Sequence, residues 1–201
     1  IIHELIHYFR IDFHHLSYNI DNMVNINPAI EIRINESYTE ILACIINSVI
    51  SSYDIYNNKN IKYCRNLICN EIKYNLFNVA KILDYYEFKN TNDFFCKHYD
   101  NRFQQNTSVF SYFIVKTALL FSLEEFFKFL NNNTSNLSKT NSNINENYLK
   151  LVTKCLKNKQ YLHHIDLFLK YIQKNKNMLM LNNSKLYNSL RMTMIEIDYD
   201  K

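Results

Sequence analysis

Apolar residues recur along most of the chain at the 3.6-residue spacing of an α-helix, and polar stretches separate the periodic segments. Residues 60–87 show this spacing over the longest distance, at Ile61, Cys64, Ile68, Ile72, Leu76, Val79 and Leu83. The other predicted helices cover residues 1–15, 35–56, 91–98, 107–130, 147–157 and 160–175. Asn35 is a residue type that caps helices, and we expect it to begin the second one. The pattern therefore predicts a mostly α fold.

Three segments depart from this spacing. Residues 131–147 are rich in Asn, Ser and Thr, which predicts a polar, low-complexity loop. Residues 190–198 alternate apolar and polar side chains and predict a short C-terminal strand. Residues 107–130 contain an almost continuous apolar run, but a membrane span needs about 20 such residues. Lys116 interrupts this run, so it predicts a central buried helix and no membrane contact.

Composition supports the helical fold class. The 201 residues include no Gly and one Pro, whereas all-β folds use both residue types in tight turns. The length and the 47% hydrophobic content predict a single domain with a sizeable core. We divide it into residues 1–57, which carry the candidate chemistry, and residues 58–201, a helical subdomain.

Charge and cysteine usage exclude some functions. The net charge of +4 is spread along the chain, so nucleic-acid binding is not expected. Five cysteines without C-x-x-C spacing imply no disulfide framework, and Cys44, Cys64 and Cys69 lie on apolar stripes that predict burial. A reducing, cytoplasmic location follows as an expectation. The chain begins with Ile1 rather than Met, which we interpret as a trimmed N-terminal end. The sequence does not indicate an oligomeric state.

The most specific chemical motif is H-E-x-x-H at residues 3–7. Positions i and i+4 of a helix share a face, so His3 and His7 can bind one metal ion. Glu4 follows the first histidine, where its carboxylate can act as general base toward a water at the metal. Two imidazoles and a base within five residues are typical of zinc hydrolases.

A hydrolytic zinc site needs a third protein ligand and an open position. The best source is N-E-S-Y-T-E at residues 35–40, in which Glu36 and Glu40 share one helical face. One carboxylate can bind the metal while the other accepts a hydrogen bond from the free ring nitrogen of a ligating histidine.

Together these two motifs resemble the gluzincin class of zinc metallopeptidases, which pairs an HExxH helix with a second helix carrying N-E-x-x-[ST]-[DE]. The resemblance implies that His3, His7 and Glu36 bind zinc. It also implies that Glu4 is the general base and that Glu40 supports His3. The implied substrate is a peptide or protein.

The resemblance covers about residues 1–45 and implies a zincin-like helical domain. In zincins a small sheet precedes the HExxH helix, so that sheet would lie outside this chain and could pair with the predicted C-terminal strand. Two features depart from the better-known members. The interval between His7 and Glu36 is longer than the common one, and the chain offers no Gly for turns near the substrate.

Other interpretations of these residues stay open. His14 or His15 could be the third ligand, although a metzincin motif would place its last His at Phe13, and Asp12 lies one residue short of an aspzincin-like ligand. The histidines could instead lie on the surface of an amphipathic helix whose apolar stripe is Ile2, Leu5, Ile6 and Phe9. Carboxylates are also favoured at a solvated helix start. The alternative function is a non-catalytic helical structural or interaction domain.

Peptide hydrolysis also needs a group that stabilises the oxyanion. Our first candidate is Tyr112, which lies one turn from Lys116 on the apolar helix, where a polar group is costly unless it is partnered. A core tyrosine bonded to a backbone acceptor is the alternative. Further candidates are Tyr74, Tyr85, Tyr86, His98, His163 and His164.

Overall fold

A computed structural model of the chain describes residues 1–12, 32–56, 61–95, 102–133, 142–182 and 184–195. Within these ranges the chain forms nine α-helices and one π-helix and no β-strand, so the prediction of a mostly α fold is confirmed. In chain order the elements are α1 (Ile2–Tyr8), α2 (Ile34–Tyr56), α3 (Ile61–Tyr85), α4 (Thr91–Phe94), the π-helix (Phe110–Val115), α5 (Lys116–Phe121), α6 (Leu123–Asn133), α7 (Ser142–Leu156), α8 (Lys159–Asn182) and α9 (Ser184–Asn188).

The π-helix and α5 form the centre of the hydrophobic core, between α2, α3 and α7. Phe110, Ile114 and Leu119 are fully buried there, which confirms the prediction of a central buried helix. The helix is interrupted at Ser122, so residues 107–130 do not form one continuous element. None of the described helices is long and apolar enough to cross a membrane.

The apolar stripe of α3 is buried along only part of its length. Leu76, Val79 and Leu83 are buried, whereas Ile61 at the start of the helix is 75% exposed. The C-terminal half packs against α8, as in the contact between the rings of Phe77 and Phe168. The spacing therefore identifies the helix but not how much of the stripe is covered.

The predicted polar loop over residues 131–147 is too long at both ends. Helix α6 continues to Asn133 and α7 begins at Ser142, while residues 134–141 lie outside the described residues. Ile144 and Tyr148 explain the early start of α7, because both side chains are buried one turn apart in the core. The Asn-rich composition hides this pair.

The predicted strand at residues 190–198 is wrong for its described part, residues 190–195, which have no regular secondary structure. Side chains replace the hydrogen bonds of a sheet in this segment. The ammonium of Lys116 donates to the carbonyl of Met192, and the carboxylate of Glu71 accepts two backbone N–H groups. These three bonds satisfy part of the segment's backbone without a partner strand.

The three cysteines predicted to be buried differ in burial. Cys44 is buried and Cys64 is half-buried, but Cys69 is exposed, so its predicted burial is wrong. Burial raises the pKa of the Cys44 thiol to about 12 and that of the Cys155 thiol to about 11.

These environments predict selective alkylation. With iodoacetamide at pH 8, we expect Cys69 to react first among the four cysteines in the described ranges of the folded protein, because only the thiolate attacks and Cys69 is accessible. Cys44 and Cys155 should react only after unfolding. Peptide mapping by mass spectrometry measures each site, and labelling of Cys44 in the folded protein as fast as Cys69 would contradict the described core.

Candidate metal centre

Helix α1 ends one residue after His7, seven residues earlier than the sequence predicts. Arg10 has a φ of 52°, the left-handed conformation that ends helices. Its N–H bonds the carbonyl of His7, and the N–H of Ile11 bonds the carbonyl of Ile6. These two bonds are the pair of a Schellman motif, here built on Arg because the chain has no Gly. The turn brings Asp12 back toward His7.

Three donor atoms from α1 and α2 converge at one point. Nε2 of His3 lies 2.9 Å from Nε2 of His7. Oε2 of Glu36 lies 3.5 Å from the first nitrogen and 3.7 Å from the second. A point equidistant from three atoms so separated is about 2.0 Å from each, which equals the zinc–nitrogen and zinc–oxygen bond lengths of proteins. The donors therefore fit a single zinc ion without movement of either helix.

Each histidine has a carboxylate at its other ring nitrogen. Nδ1 of His3 lies 2.5 Å from Oε1 of Glu40, and Nδ1 of His7 lies 2.7 Å from Oδ2 of Asp12. A carboxylate at Nδ1 favours the tautomer with the proton on that nitrogen, which leaves the lone pair of Nε2 available for a metal ion. Both imidazoles are thereby oriented toward the same point.

The same contacts set the charge of His3. Its close contact with the carboxylate of Glu40 raises its pKa above the ordinary value. Partial burial opposes this increase, and the charges of Glu36 and Glu4 add to it. The negative carboxylates favour a positive charge at this position, whether it is a proton on His3 or a metal ion. The two compete for Nε2.

Helix α2 supplies Glu36 in its first turn and Glu40 one turn later. The helix begins at Ile34, so the prediction that Asn35 caps it is wrong. Buried Ile34, Tyr38 and Ile41 fix the inner face of the helix. The two carboxylates face α1, which packs against α2.

Tyr112 reaches the centre from the π-helix. Its hydroxyl donates to Oε2 of Glu36 at 3.3 Å, and its ring centroid lies 6.1 Å from that of His3. Burial, followed by the charge of Glu36, raises the pKa of Tyr112 to about 12, so the hydroxyl keeps its proton at neutral pH. π-Helical turns occur frequently at functional sites.

The other candidates for stabilising the oxyanion have different contacts or lie outside the described residues. Tyr86 donates to the carbonyl of Gln104, and His164 contacts the carbonyl of Gln160. His98 lies outside the described residues. Tyr74 lines a separate pocket with Arg191, the ring of Tyr85 contacts Tyr86, and the ring of His163 contacts His164.

Glu4 is exposed beside the centre. Its charge contributes to the raised pKa of His3, which places the carboxylate within electrostatic range of that imidazole. Catalytic bases are often loosely held before substrate binds, so an exposed position is compatible with proton transfer.

Asp12 is the residue whose role the sequence did not reveal. The sequence suggested Asp12 only as an alternative metal ligand. In the structure it hydrogen-bonds His7. The other rival ligands, His14 and His15, lie outside the described residues. No motif marks Asp12, because its approach depends on the left-handed turn at Arg10.

The apolar stripe predicted for α1 does not orient the helix. Ile6 is buried, but Leu5 is 45% exposed and Phe9 is 64% exposed. The contacts of His3 and His7 with α2, together with the burial of Ile6, instead mark the face of α1 that meets α2.

Among the residues that the structure describes, His3, His7 and Glu36 are the one group of three potential ligands whose donor atoms converge within 4.8 Å. Comparisons of the chain with protein families, with characterised proteins and with solved structures give no match.

Proposed function

We propose that this chain is a zinc-dependent hydrolase of peptide bonds in which His3, His7 and Glu36 hold the metal. The observation that carries the proposal is the donor triangle, whose centre lies about 2.0 Å from all three atoms. Imidazole and carboxylate ligands suit zinc, and three protein ligands are typical of catalytic sites. Cysteine-rich structural zinc sites have a different donor set.

Zinc in such a site polarises a carbonyl group and lowers the pKa of water. Glu4 accepts the proton of the attacking water and transfers it to the leaving amine. Tyr112 keeps its proton at neutral pH and can donate a hydrogen bond to the oxygen that becomes negative. Glu40 and Asp12 hold the two imidazoles in orientation throughout.

Hydrolysis of a mixture of internally quenched fluorescent peptides tests this function. We expect the purified protein to cleave members of the mixture, to lose activity with 1,10-phenanthroline and to regain it with one equivalent of zinc. Protein that holds zinc but cleaves no member of the mixture would support the second candidate function, a helical interaction domain.

A specific observation favours that second candidate. Phe9, the residue that follows α1, and Tyr53 on α2 are more than half exposed although both are aromatic. Aromatic side chains are enriched at protein–protein interfaces. Such a domain would hold zinc only as a structural link between α1 and α2.

Asp12 gives a prediction about metal affinity. Asp12→Asn should weaken zinc binding by about 10- to 100-fold, because the carboxylate that orients His7 is lost while all three ligands remain. Competition with a fluorescent zinc chelator measures the dissociation constant. Asp93→Asn is the control, since Asp93 pairs with Arg102 away from the metal donors. An Asp12→Asn affinity equal to that of the control would contradict the support of His7 by Asp12.

A further inference from the structure

A pocket of about 460 Å³ lies beside the candidate metal centre. It borders His3 and Glu40 and continues along α2 toward its C-terminal end. Its volume lies within the range of small-molecule binding pockets. The further lining residues that bear on its chemistry are Ile2, Ala43, Cys44, Asn47, Met192 and Ile195.

The wall opposite α2 is the irregular segment 192–195, and buried charged groups fix its backbone. Lys116, fully buried, donates to the carbonyl of Met192 at 2.7 Å. Glu71, also fully buried, accepts the N–H groups of Met194 at 2.8 Å and Ile195 at 3.1 Å. Releasing the segment would leave both charges without these bonds inside the protein, which is costly. The wall is therefore a fixed part of the pocket.

Most of the pocket surface is apolar. Ile2, Ala43, Met192 and Ile195 contribute aliphatic or thioether groups, and Cys44 contributes a thiol that burial keeps protonated. The charged side chains that line it are Glu40 and His3, and these pair with each other. An uncharged side chain in this pocket would bury apolar surface without leaving an ion unpaired.

The pocket also lies at a suitable distance from the metal donors. Glu40 follows Glu36 by four residues, which is about 6 Å along a helix. Consecutive residues of an extended peptide are about 3.3–3.6 Å apart. A residue close to the reacting bond can therefore place its side chain in the pocket.

We infer that this pocket binds an uncharged, apolar side chain of the substrate next to the bond that is cleaved, with segment 192–195 as its outer wall. This inference rests on the proposed function. It makes Ala43 a specificity-determining residue, because a larger side chain there would fill the pocket.

Two dipeptide hydroxamates that differ only in one side chain, leucyl or lysyl, test the inference by calorimetric titration of zinc-loaded protein. We expect wild type to bind the leucyl compound at least about tenfold more tightly than the lysyl compound. Ala43→Phe should lose at least about tenfold in affinity for the leucyl compound while retaining one zinc per chain. Val49→Phe adds the same ring to α2 at an exposed position outside the pocket and should bind like wild type.

The outcomes separate this inference from the proposed function. Wild-type protein could bind zinc but show equal affinity for the two hydroxamates, or prefer the lysyl compound. That result would overturn the apolar pocket but not the metal centre. Equal effects of Ala43→Phe and Val49→Phe would overturn the assignment of the pocket to this face of α2. Failure of wild type to bind zinc would overturn the proposed function and this inference together.

Discussion

Replacing Glu36 with Ala is expected to abolish stoichiometric zinc binding. The variant removes one of three donors and leaves two imidazoles with no carboxylate at the shared point. Loss of a supporting hydrogen bond alone costs about 10- to 100-fold in metal affinity, so loss of a ligand should cost at least about 100-fold. Equilibrium dialysis with zinc, followed by metal analysis, measures the effect.

Glu146→Ala is the matched control for this loss. Glu146 is exposed on α7 and pairs with Lys150 one turn away. It should keep the zinc content and thermal unfolding temperature of wild type. A Glu36→Ala protein that binds one zinc with wild-type affinity would exclude Glu36 as a ligand.

Replacing Glu4 with Gln is expected to separate metal binding from catalysis. Glu4 contributes no donor atom to the converging group, so the variant should retain one zinc. Because a general base typically contributes about 10²- to 10⁴-fold, kcat for peptide cleavage should fall by that factor. Steady-state kinetics on the fluorescent peptide cleaved best by wild type give the value.

The control for this variant is Glu124→Gln, another exposed carboxylate near a helix start, paired with Lys128. It should have the kcat and zinc content of wild type. Near-normal cleavage by Glu4→Gln would show that another group takes the proton. A parallel loss of zinc would instead give Glu4 a role in holding the metal.

Much of the candidate centre could be predicted from the sequence, because residues four apart share a helical face. His3 and His7 form one such pair, and Glu36 and Glu40 form the other. What spacing cannot give is the distance between α1 and α2, which depends on the tertiary contact between the two helices.

The role of Asp12 could not be predicted, because the sequence does not mark the end of the first helix. A glycine usually marks the left-handed residue that ends a helix, but here Arg10 adopts that conformation. Without this signal the pattern extends the predicted helix to residue 15. In a continuous helix, a residue five positions after His7 lies on a different face, so Asp12 would point away from Nδ1 of His7.

In the rest of the fold, too, local spacing predicts the helices but not the features that depend on residues distant in sequence. Periodicity locates the helices, but α8 continues to Asn182 past a non-helical residue, Asn175, where the predicted helix ends. The irregular course of residues 190–195 depends on Lys116 and Glu71, more than 70 residues away in sequence. Buried charged residues that bond a distant backbone leave no periodic pattern.

X-ray absorption spectroscopy of the zinc-loaded protein tests the central claim most directly, because it reports the donor atoms. Convergence of His3, His7 and Glu36 predicts one zinc per chain with nitrogen and oxygen neighbours at about 2.0–2.1 Å, including the outer-shell scattering of two imidazoles. Sulfur at about 2.3 Å would place the metal on cysteines instead. That spectrum, or a protein that takes up no zinc, would contradict the account.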